Sequence, residues 1–211
     1  MTIPKPPMPD YCMAKLSTFF QKADLMGIIL PAAIGFFGLF CFGAFSWGVK
    51  AHFRQTGAMP PGMRITSALS LAGFIWFLVH LTGGMTPAWP VTLALFAGSL
   101  AIFFWAVRTT RRTPPTLAFD TDPPSFLLHQ GPYRFVRHPF YLAYLLFWTG
   151  TAAVSPHLYA WAAPLIMGAL YFHAATREER KFAMSELSAA YAAYRAQAGM
   201  FLPRAGRLLA G

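Results

Sequence analysis

Charged residues are scarce in this chain, and acidic residues are the scarcest. Only 11% of the 211 residues are charged and only seven are Asp or Glu, whereas 56% are hydrophobic and the mean hydropathy is +0.45. Soluble domains carry about 25% charged residues. This scarcity excludes an ordinary soluble domain and favours a protein embedded in lipid.

Residues 25–49, 65–107 and 138–176 contain no Lys, Arg, Asp or Glu at all. A proton or cation pathway through a bilayer usually needs ionisable groups within the membrane, so their absence argues against such a pathway. The chain also lacks a Gly-rich dinucleotide fingerprint between a strand and a helix, which argues against a Rossmann domain.

Metal ligands in a recognisable spacing are missing as well. Cys12 and Cys41 form no metal-binding pair, and His52, His80 and His173 form no ligand motif. The sequence therefore predicts no metal or haem site. We expect His80 and His173 to be hydrogen bonded inside the helix bundle.

The three uncharged stretches predict five membrane crossings. A crossing helix needs about 20 apolar residues, which fits the first stretch once. The second stretch is interrupted by Gly and Pro at 83–90, and the third is split at 155–157, so each gives two helices. The predicted fold is an all-α integral membrane protein with five transmembrane helices and a C-terminal cytoplasmic helix.

The net charge of +10 reflects where Lys and Arg lie between these helices. Fourteen of the 17 fall on one side of the predicted bilayer, and Lys5, Lys15 and Lys22 fall on the other. The positive-inside rule then predicts a multi-pass protein of the cell (inner) membrane, with its N-terminus outside and its C-terminus cytoplasmic. Because membrane spans separate the basic residues, we expect no nucleic-acid partner.

Polar residues divide the chain into three parts. We expect an interfacial segment at 1–24, transmembrane helices 1–3 at 25–108, and a catalytic region at 109–211 that contains helices 4 and 5 and the cytoplasmic helix. Five of the seven acidic residues lie after residue 119, together with most of the Arg, His and Tyr.

Two motifs stand out in the catalytic region. The first, from Gly131 to Tyr141, reads GPYRFVRHPFY and leads into helix 4, where Pro139 suits the first helical position. His138 then lies at a helix N-terminus, which favours an anionic group. Ordinary headgroup anchoring would explain the same Arg, His and aromatic residues.

The second motif follows helix 5 and contains adjacent carboxylates and two tyrosines, Glu178, Glu179, Tyr191 and Tyr194. It predicts a helix that leaves the membrane and an amphipathic cytoplasmic helix after it. Taken alone, these carboxylates would equally suit a solvated helix face that pairs with nearby Arg side chains.

Taken together, the motifs at about 117–203 resemble the isoprenylcysteine carboxyl methyltransferase family of membrane enzymes, which is related to the phospholipid N-methyltransferases. The order of the motifs, their spacing and the helical hairpin between them all agree. The resemblance implies an S-adenosylmethionine-dependent methyltransferase whose cofactor pocket is formed by the 3–4 loop, the helix 4–5 hairpin and the C-terminal helix.

The resemblance also implies the residues that perform the function. The cofactor would be bound by Ser125, Phe126, Leu127, Leu128, Tyr133, His138, Pro139, Phe140, Tyr141 and one of the pair Glu178 and Glu179, with Glu179 the match in register. The catalytic candidates are His138, Arg137 and Tyr141. The family's substrate-binding Arg falls on Ala175, and Arg177 lies nearby. The family's Phe-Gly before the first Tyr is Leu187-Ser188 here.

The acceptor implied by the resemblance is lipophilic or amphipathic and carries a carboxylate, amine or thiol. A carboxylate needs no general base, whereas an amine or thiol must lose a proton. The Ala-rich composition suggests a bacterial protein, which favours a lipid or small lipophilic acceptor. The partners expected are the bilayer and this acceptor. The sequence does not indicate which oligomeric state the protein adopts.

Two other functions fit parts of the pattern. Membrane sterol reductases that use NADPH have an Arg-His-x-x-Tyr segment, which Arg137, His138 and Tyr141 also satisfy. The Gly-Pro-Tyr lead and the Glu pair favour methyl transfer over this alternative. A small transport or assembly protein would need neither His138 nor Glu179.

Overall fold

The computed structural model describes residues 10–54, 58–115, 119 and 126–204, with backbone only for 10–26. Within these ranges the chain forms six α-helices and no named strand. The helices are α1 (Asp10–Trp47), α2 (Pro61–Thr82), α3 (Trp89–Thr110), α4 (Pro139–Ala153), α5 (Ala162–Ala183) and α6 (Ser188–Gln197). The predicted all-α fold is therefore confirmed for the described residues.

Four segments in the described part of the chain are long and apolar enough to cross a membrane. They are Gly27–His52, Pro61–Thr82, Trp89–Thr110 and Leu158–Ala183. The predicted helix 4 is present as α4, but its 15 residues extend only about 22 Å, less than the roughly 30 Å hydrocarbon core. Four candidate spans thus stand where the sequence predicted five crossings.

Helix α4 packs antiparallel to α3 along its whole length. The Thr92 hydroxyl donates to the Gly150 carbonyl at 3.0 Å, and the Ser99 hydroxyl donates to the Ala143 carbonyl at 2.7 Å. These buried hydroxyls satisfy their hydrogen bonds between helices, as polar groups in an apolar bundle must. At Gly150 a Cβ atom would lie 2.9 Å from the Phe96 ring, so glycine permits the close approach.

The short length of α4 places its amino end inside the bundle. Near that end, the rings of Phe103 and Phe140 lie 5.6 Å apart, and α3 continues beyond Phe103 to Thr110. Seven residues of helix rise about 10 Å. The start of α4 is therefore recessed by about that distance from the end of α3.

Three of the cation-rich segments meet at this end of the bundle. The Arg54 amide donates to the Pro115 carbonyl at 3.0 Å, and His138 lies against Glu179. At the other end, the Thr86 amide donates to the Val154 carbonyl at 2.9 Å. The segments after α1, after α3 and after α5 thus share one end, as the charge pattern predicts.

The interior is built largely from aromatic side chains. Phe96, Phe103, Phe147 and Trp148 are among the largest fully buried side chains. Apolar side chains also cover the outside of the bundle: Ile28, Phe36, Phe40, Ile65, Val79, Leu165 and Phe172 are all exposed. An apolar exterior around a packed aromatic core suits a protein whose solvent is lipid.

The predicted interfacial segment at 1–24 falls partly outside the described residues. From Asp10 onward its backbone is helical and continues without a break into the rest of α1, a helix of 38 residues. The described part of the segment is thus the first portion of α1.

Candidate active site

A tight turn delivers the first motif to the start of α4. Gly131 has a φ of +57°, which glycine adopts at no steric cost, and a Cβ atom there would clash with the Thr109 side chain. A 3₁₀ turn over Gly131–Arg134 follows. Pro139 is the first residue of α4, as the sequence predicts, and His138 is its N-cap residue.

The residues after α6 fasten this segment in place. The Arg137 amide donates to the Gly199 carbonyl at 2.8 Å, the Gly199 amide donates to the Phe135 carbonyl at 3.1 Å, and the His138 amide donates to the Met200 carbonyl at 3.2 Å. This parallel pairing was not predicted from the sequence. The one residue in the sequence that could have indicated the pairing is Gly199, because a Cβ atom at this position would clash with the Leu202 carbonyl.

Glu179 joins the two motifs through a buried ion pair. Its Oε1 lies 2.9 Å from Arg137 Nε and 2.8 Å from Arg137 Nη2, and both side chains are over nine-tenths buried. His138 Nε2 approaches the same oxygen at 3.2 Å. Because a buried carboxylate needs partners of this kind, Glu179 serves to hold the Arg137–His138 corner against α5.

Glu178 faces the other way. The Tyr141 hydroxyl donates to Glu178 Oε1 at 2.5 Å, and His138 Nδ1 lies 3.6 Å from Glu178 Oε2. The rings of His138 and Tyr141 stack with centroids 5.5 Å apart. The Glu178 side chain keeps 35% of its surface exposed, compared with 9% for Glu179. The adjacent carboxylates therefore occupy different environments.

A cavity of about 500 Å³ opens beside this cluster. Its polar end includes His138, Tyr141 and Glu178, and its inner end is apolar, with Phe45 and Phe147 in the wall. The volume falls within the roughly 300–1,000 Å³ of small-molecule sites, which likewise combine apolar walls with a few polar groups. The arrangement can hold a charged group at one end and an apolar group at the other.

Tyrosines close the polar end. The Tyr194 hydroxyl donates to the Tyr133 carbonyl at 2.7 Å, and Tyr191 stacks on Phe182 with centroids 4.8 Å apart. Burial raises the pKa of Tyr133 and of Tyr191. Both phenols are therefore neutral at physiological pH and offer aromatic faces without negative charge.

Most of the residues implied by the resemblance meet at this cavity. It is lined by Phe126, Leu127, Leu128, Tyr133, Arg137, His138, Pro139, Phe140, Tyr141 and Glu178. Glu179 lies behind the lining, against Arg137. Arg177 is exposed on α5 and does not line the cavity, so the geometry lends no support to its predicted substrate contact. Ser125 lies outside the described residues.

The sequence did not single out the walls contributed by other helices. Phe42, Phe45 and Ser46 of α1, Ser67 and Ser70 of α2 and Tyr171 of α5 also line the cavity. The Trp148 indole Nε1 donates to the Tyr171 hydroxyl at 3.1 Å. Since α1 and α2 are apolar on nearly every face, their sequences carry no sign of which face lines a cavity.

The histidines outside the two motifs differ from expectation. His80 Nε2 is buried with no hydrogen-bond partner among the described residues, and its ring packs edge-on against Trp76. His173 is exposed. We expected both histidines to be hydrogen bonded inside the bundle. This is wrong for His80, whose Nε2 has no hydrogen-bond partner among the described residues, and for His173, which lies on the outside. Within the described residues, no three His, Cys, Asp or Glu side chains converge as a metal site.

Comparison with known proteins shows which family the segment that carries the cluster resembles. Residues 89–189 match the model of a family described as phospholipid methyltransferase. The matched segment runs from the first residue of α3 into α6 and includes His138, Tyr141 and Glu178. No curated protein and no solved structure matches the chain. The resemblance of the two motifs to this group of membrane methyltransferases is therefore confirmed over residues 89–189, which match the phospholipid methyltransferase family, to which the isoprenylcysteine carboxyl methyltransferases are related.

Proposed function

We propose that this protein is an S-adenosylmethionine-dependent methyltransferase that methylates a lipophilic or amphipathic acceptor within the membrane. One observation carries the proposal. A family-matched cluster of Glu178, His138 and Tyr141 forms the polar end of a cavity whose inner end is apolar. A charged methyl donor and an apolar acceptor would meet where the two ends join.

The polar end fits the methyl donor. S-adenosylmethionine supplies an electrophilic methyl group on a sulfonium and also carries an ammonium and a carboxylate. The carboxylate of Glu178 would attract the cationic groups, and the faces of Tyr133 and Tyr191 would line the same volume. The side chain of the N-cap residue His138 does not cap α4, and the unpaired amides of a helix N-terminus would favour an anionic group.

Glu179 and Arg137 would act as positioning residues in this scheme. Their buried ion pair fixes the start of α4 against α5, and the pairing with Gly199 secures it from the other side. In-line methyl transfer depends mainly on alignment and on exclusion of water. A recessed, tightly fastened α4 entrance would supply both.

The acceptor would enter from the apolar side. The inner cavity is bounded by Phe45, Phe147 and Trp148, which suit a hydrocarbon chain. A carboxylate acceptor would react without a base. An amine or thiol would lose its proton to the His138–Glu178–Tyr141 cluster, whose members already share hydrogen-bonding contacts.

The geometry supports methyl transfer over the reductase alternative. The guanidinium of Arg137, the first residue of the reductase-like segment, is engaged by Glu179 and by the Ala198 carbonyl. The side chains of Arg137 and Glu179 are both buried. Releasing Arg137 for another anion would take from the buried Glu179 carboxylate its closest cationic partner, which is costly.

We further propose that the bundle end carrying the site faces the cytoplasm, with the N-terminus outside. The chain from Gly131 through α4 runs beside α3 from Thr109 to Thr92, so the 3₁₀ turn and α4 together would complete a fifth crossing. This orientation would place the polar end of the cavity where a water-soluble methyl donor is made.

A methyl-transfer assay tests the function. Protein in lipid nanodiscs is incubated with membrane extract and donor labelled in its methyl group, and the lipid phase is analysed by mass spectrometry. Wild type is expected to yield a labelled lipophilic product, and Glu178→Gln to form it about 100-fold more slowly. Glu186→Gln, an exposed carboxylate on the same segment, is the matched control and should retain the wild-type rate.

Two results would overturn the proposal. One is a wild-type protein that labels no lipophilic compound although it binds the donor. The other is full activity in Glu178→Gln, which would move the donor site away from this cluster.

A further inference from the structure

The end of α1 has an unusual backbone. After Trp47 the helix widens into a π-helical turn over Gly48–His52. Such turns are rare and occur mostly as local distortions at functional sites. Gly48 permits the close approach of this turn to α3, because a Cβ atom there would lie 2.8 Å from the Phe103 ring.

Two contacts anchor the chain that leaves this turn. His52 Nε2 lies 2.7 Å from Thr110 Oγ1, and because that hydroxyl donates to the Ala106 carbonyl, it accepts from the imidazole N–H. Two residues later, the Arg54 amide donates to the Pro115 carbonyl. The segment 50–54 is thereby held across the mouth of the cavity.

This placement makes the cavity mouth strongly basic. Among the described residues that line the cavity, Lys50, Arg54, Arg137 and Lys181 are cationic and Glu178 is the one carboxylate. Arg137 is neutralised by Glu179 behind the wall. Lys50 and Arg54 are exposed, and both lie outside the family-matched segment.

Ordinary inner-leaflet anchoring accounts for basic residues at a bundle end, but not for their place in a cavity wall. Arg64 illustrates the difference. It is exposed on α2 at the same end of the bundle and does not line the cavity. The position of Lys50 and Arg54 thus points to a ligand inside the cavity mouth.

We propose that Lys50 and Arg54 recognise an anionic group, a phosphate or a carboxylate, on the amphiphilic acceptor. The acceptor's chain would fill the apolar inner cavity, and its anionic group would be held at the mouth by these two side chains. The assignment of this ligand as the acceptor rests on the proposed methyl transfer. The anion site itself does not depend on that activity.

Binding of a simple probe tests the site without any reaction. Octyl phosphate and octanol, which share one chain, are titrated by calorimetry into the protein in an uncharged detergent. The double variant Lys50→Gln/Arg54→Gln is expected to bind octyl phosphate about tenfold more weakly and octanol as wild type does. The difference should shrink as ionic strength rises, because exposed charges are screened. Arg64→Gln is the matched control and should bind both probes as wild type does.

A third titration, with S-adenosylhomocysteine, identifies the source of the anion. Unchanged affinity in the double variant supports recognition of the acceptor, whereas an equal tenfold loss would assign both cations to the donor carboxylate and overturn the proposal. The proposal would also be overturned if the double variant lost equal affinity for octyl phosphate and octanol, or lost affinity for neither. The same loss of octyl phosphate affinity in Arg64→Gln would overturn it too. If wild type binds octyl phosphate selectively but not S-adenosylhomocysteine, the anion site stands and the methyltransferase proposal fails.

Discussion

Removing the Glu179 carboxylate is expected to destabilise the protein severely. In wild type, Glu179 Oε1 lies 2.8–2.9 Å from two nitrogens of Arg137. In Glu179→Gln the Arg137 guanidinium stays buried, but no carboxylate charge balances it there. Breaking a buried pair on one side costs about 3–5 kcal/mol. At about 2–4 °C per kcal/mol for a chain of this size, the unfolding midpoint should fall by roughly 6–20 °C.

The assay is thermal unfolding in nanodiscs, followed by near-ultraviolet circular dichroism. Glu186→Gln is the control, and its midpoint should change by about 1 °C or less because its side chain is exposed. The double variant Arg137→Met/Glu179→Leu should recover much of the loss, since it removes both charges together. A Glu179→Gln protein as stable as wild type, or a double variant that loses the sum of the single changes, would refute the assignment of Glu179 as a structural crosslink.

Two further changes separate the chemistry from the scaffold. Tyr141→Phe removes the hydroxyl that donates to Glu178 but keeps the ring stack with His138. Methyl transfer should therefore slow about tenfold, while the melting midpoint stays unchanged. An unchanged rate of methyl transfer would exclude a role for that hydroxyl. Gly199→Ala places a Cβ atom against the Leu202 carbonyl and should destabilise the protein by about 1–3 kcal/mol. Gly98→Ala is the control, because a Cβ atom there meets no atom within 4 Å, and it should not destabilise the protein. Equal melting midpoints in the two variants would contradict the predicted clash.

The sequence predicted the elements whose signals are local. Pro139 marked the start of α4 because a proline tolerates the first helical position, and the Gly- and Pro-containing stretch at 83–90 separated α2 from α3. The two motifs were recognisable because polar residues are rare in this chain. Their contact in space, between His138 and Glu179, agrees with what the resemblance implied.

Features that depend on helix rotation and on long-range pairing were not predictable. In a protein surrounded by lipid, apolar residues cover both the core and the exterior, so the sequence of α1 carries no periodic sign that Phe45 is buried while Phe40 is exposed. The π turn at Gly48 and the pairing of Gly199 with the α4 entrance depend on neighbours more than 50 residues away.

The adjacent carboxylates illustrate the limit within a motif. Register with the family favoured Glu179 as the cofactor contact, but successive residues of a helix point about 100° apart. In this fold the rotation of α5 turns Glu178 toward the cavity and Glu179 toward Arg137. Only packing against α4 and α6 could decide between them.

Calorimetric titration of the purified wild-type protein with S-adenosylhomocysteine and, separately, with NADPH distinguishes a methyltransferase from a reductase. The proposed methyl transfer predicts saturable binding of S-adenosylhomocysteine that is weakened in Glu178→Gln and retained in Glu186→Gln, with no binding of NADPH. Binding of NADPH alone, or S-adenosylhomocysteine binding that is indifferent to Glu178, would contradict it.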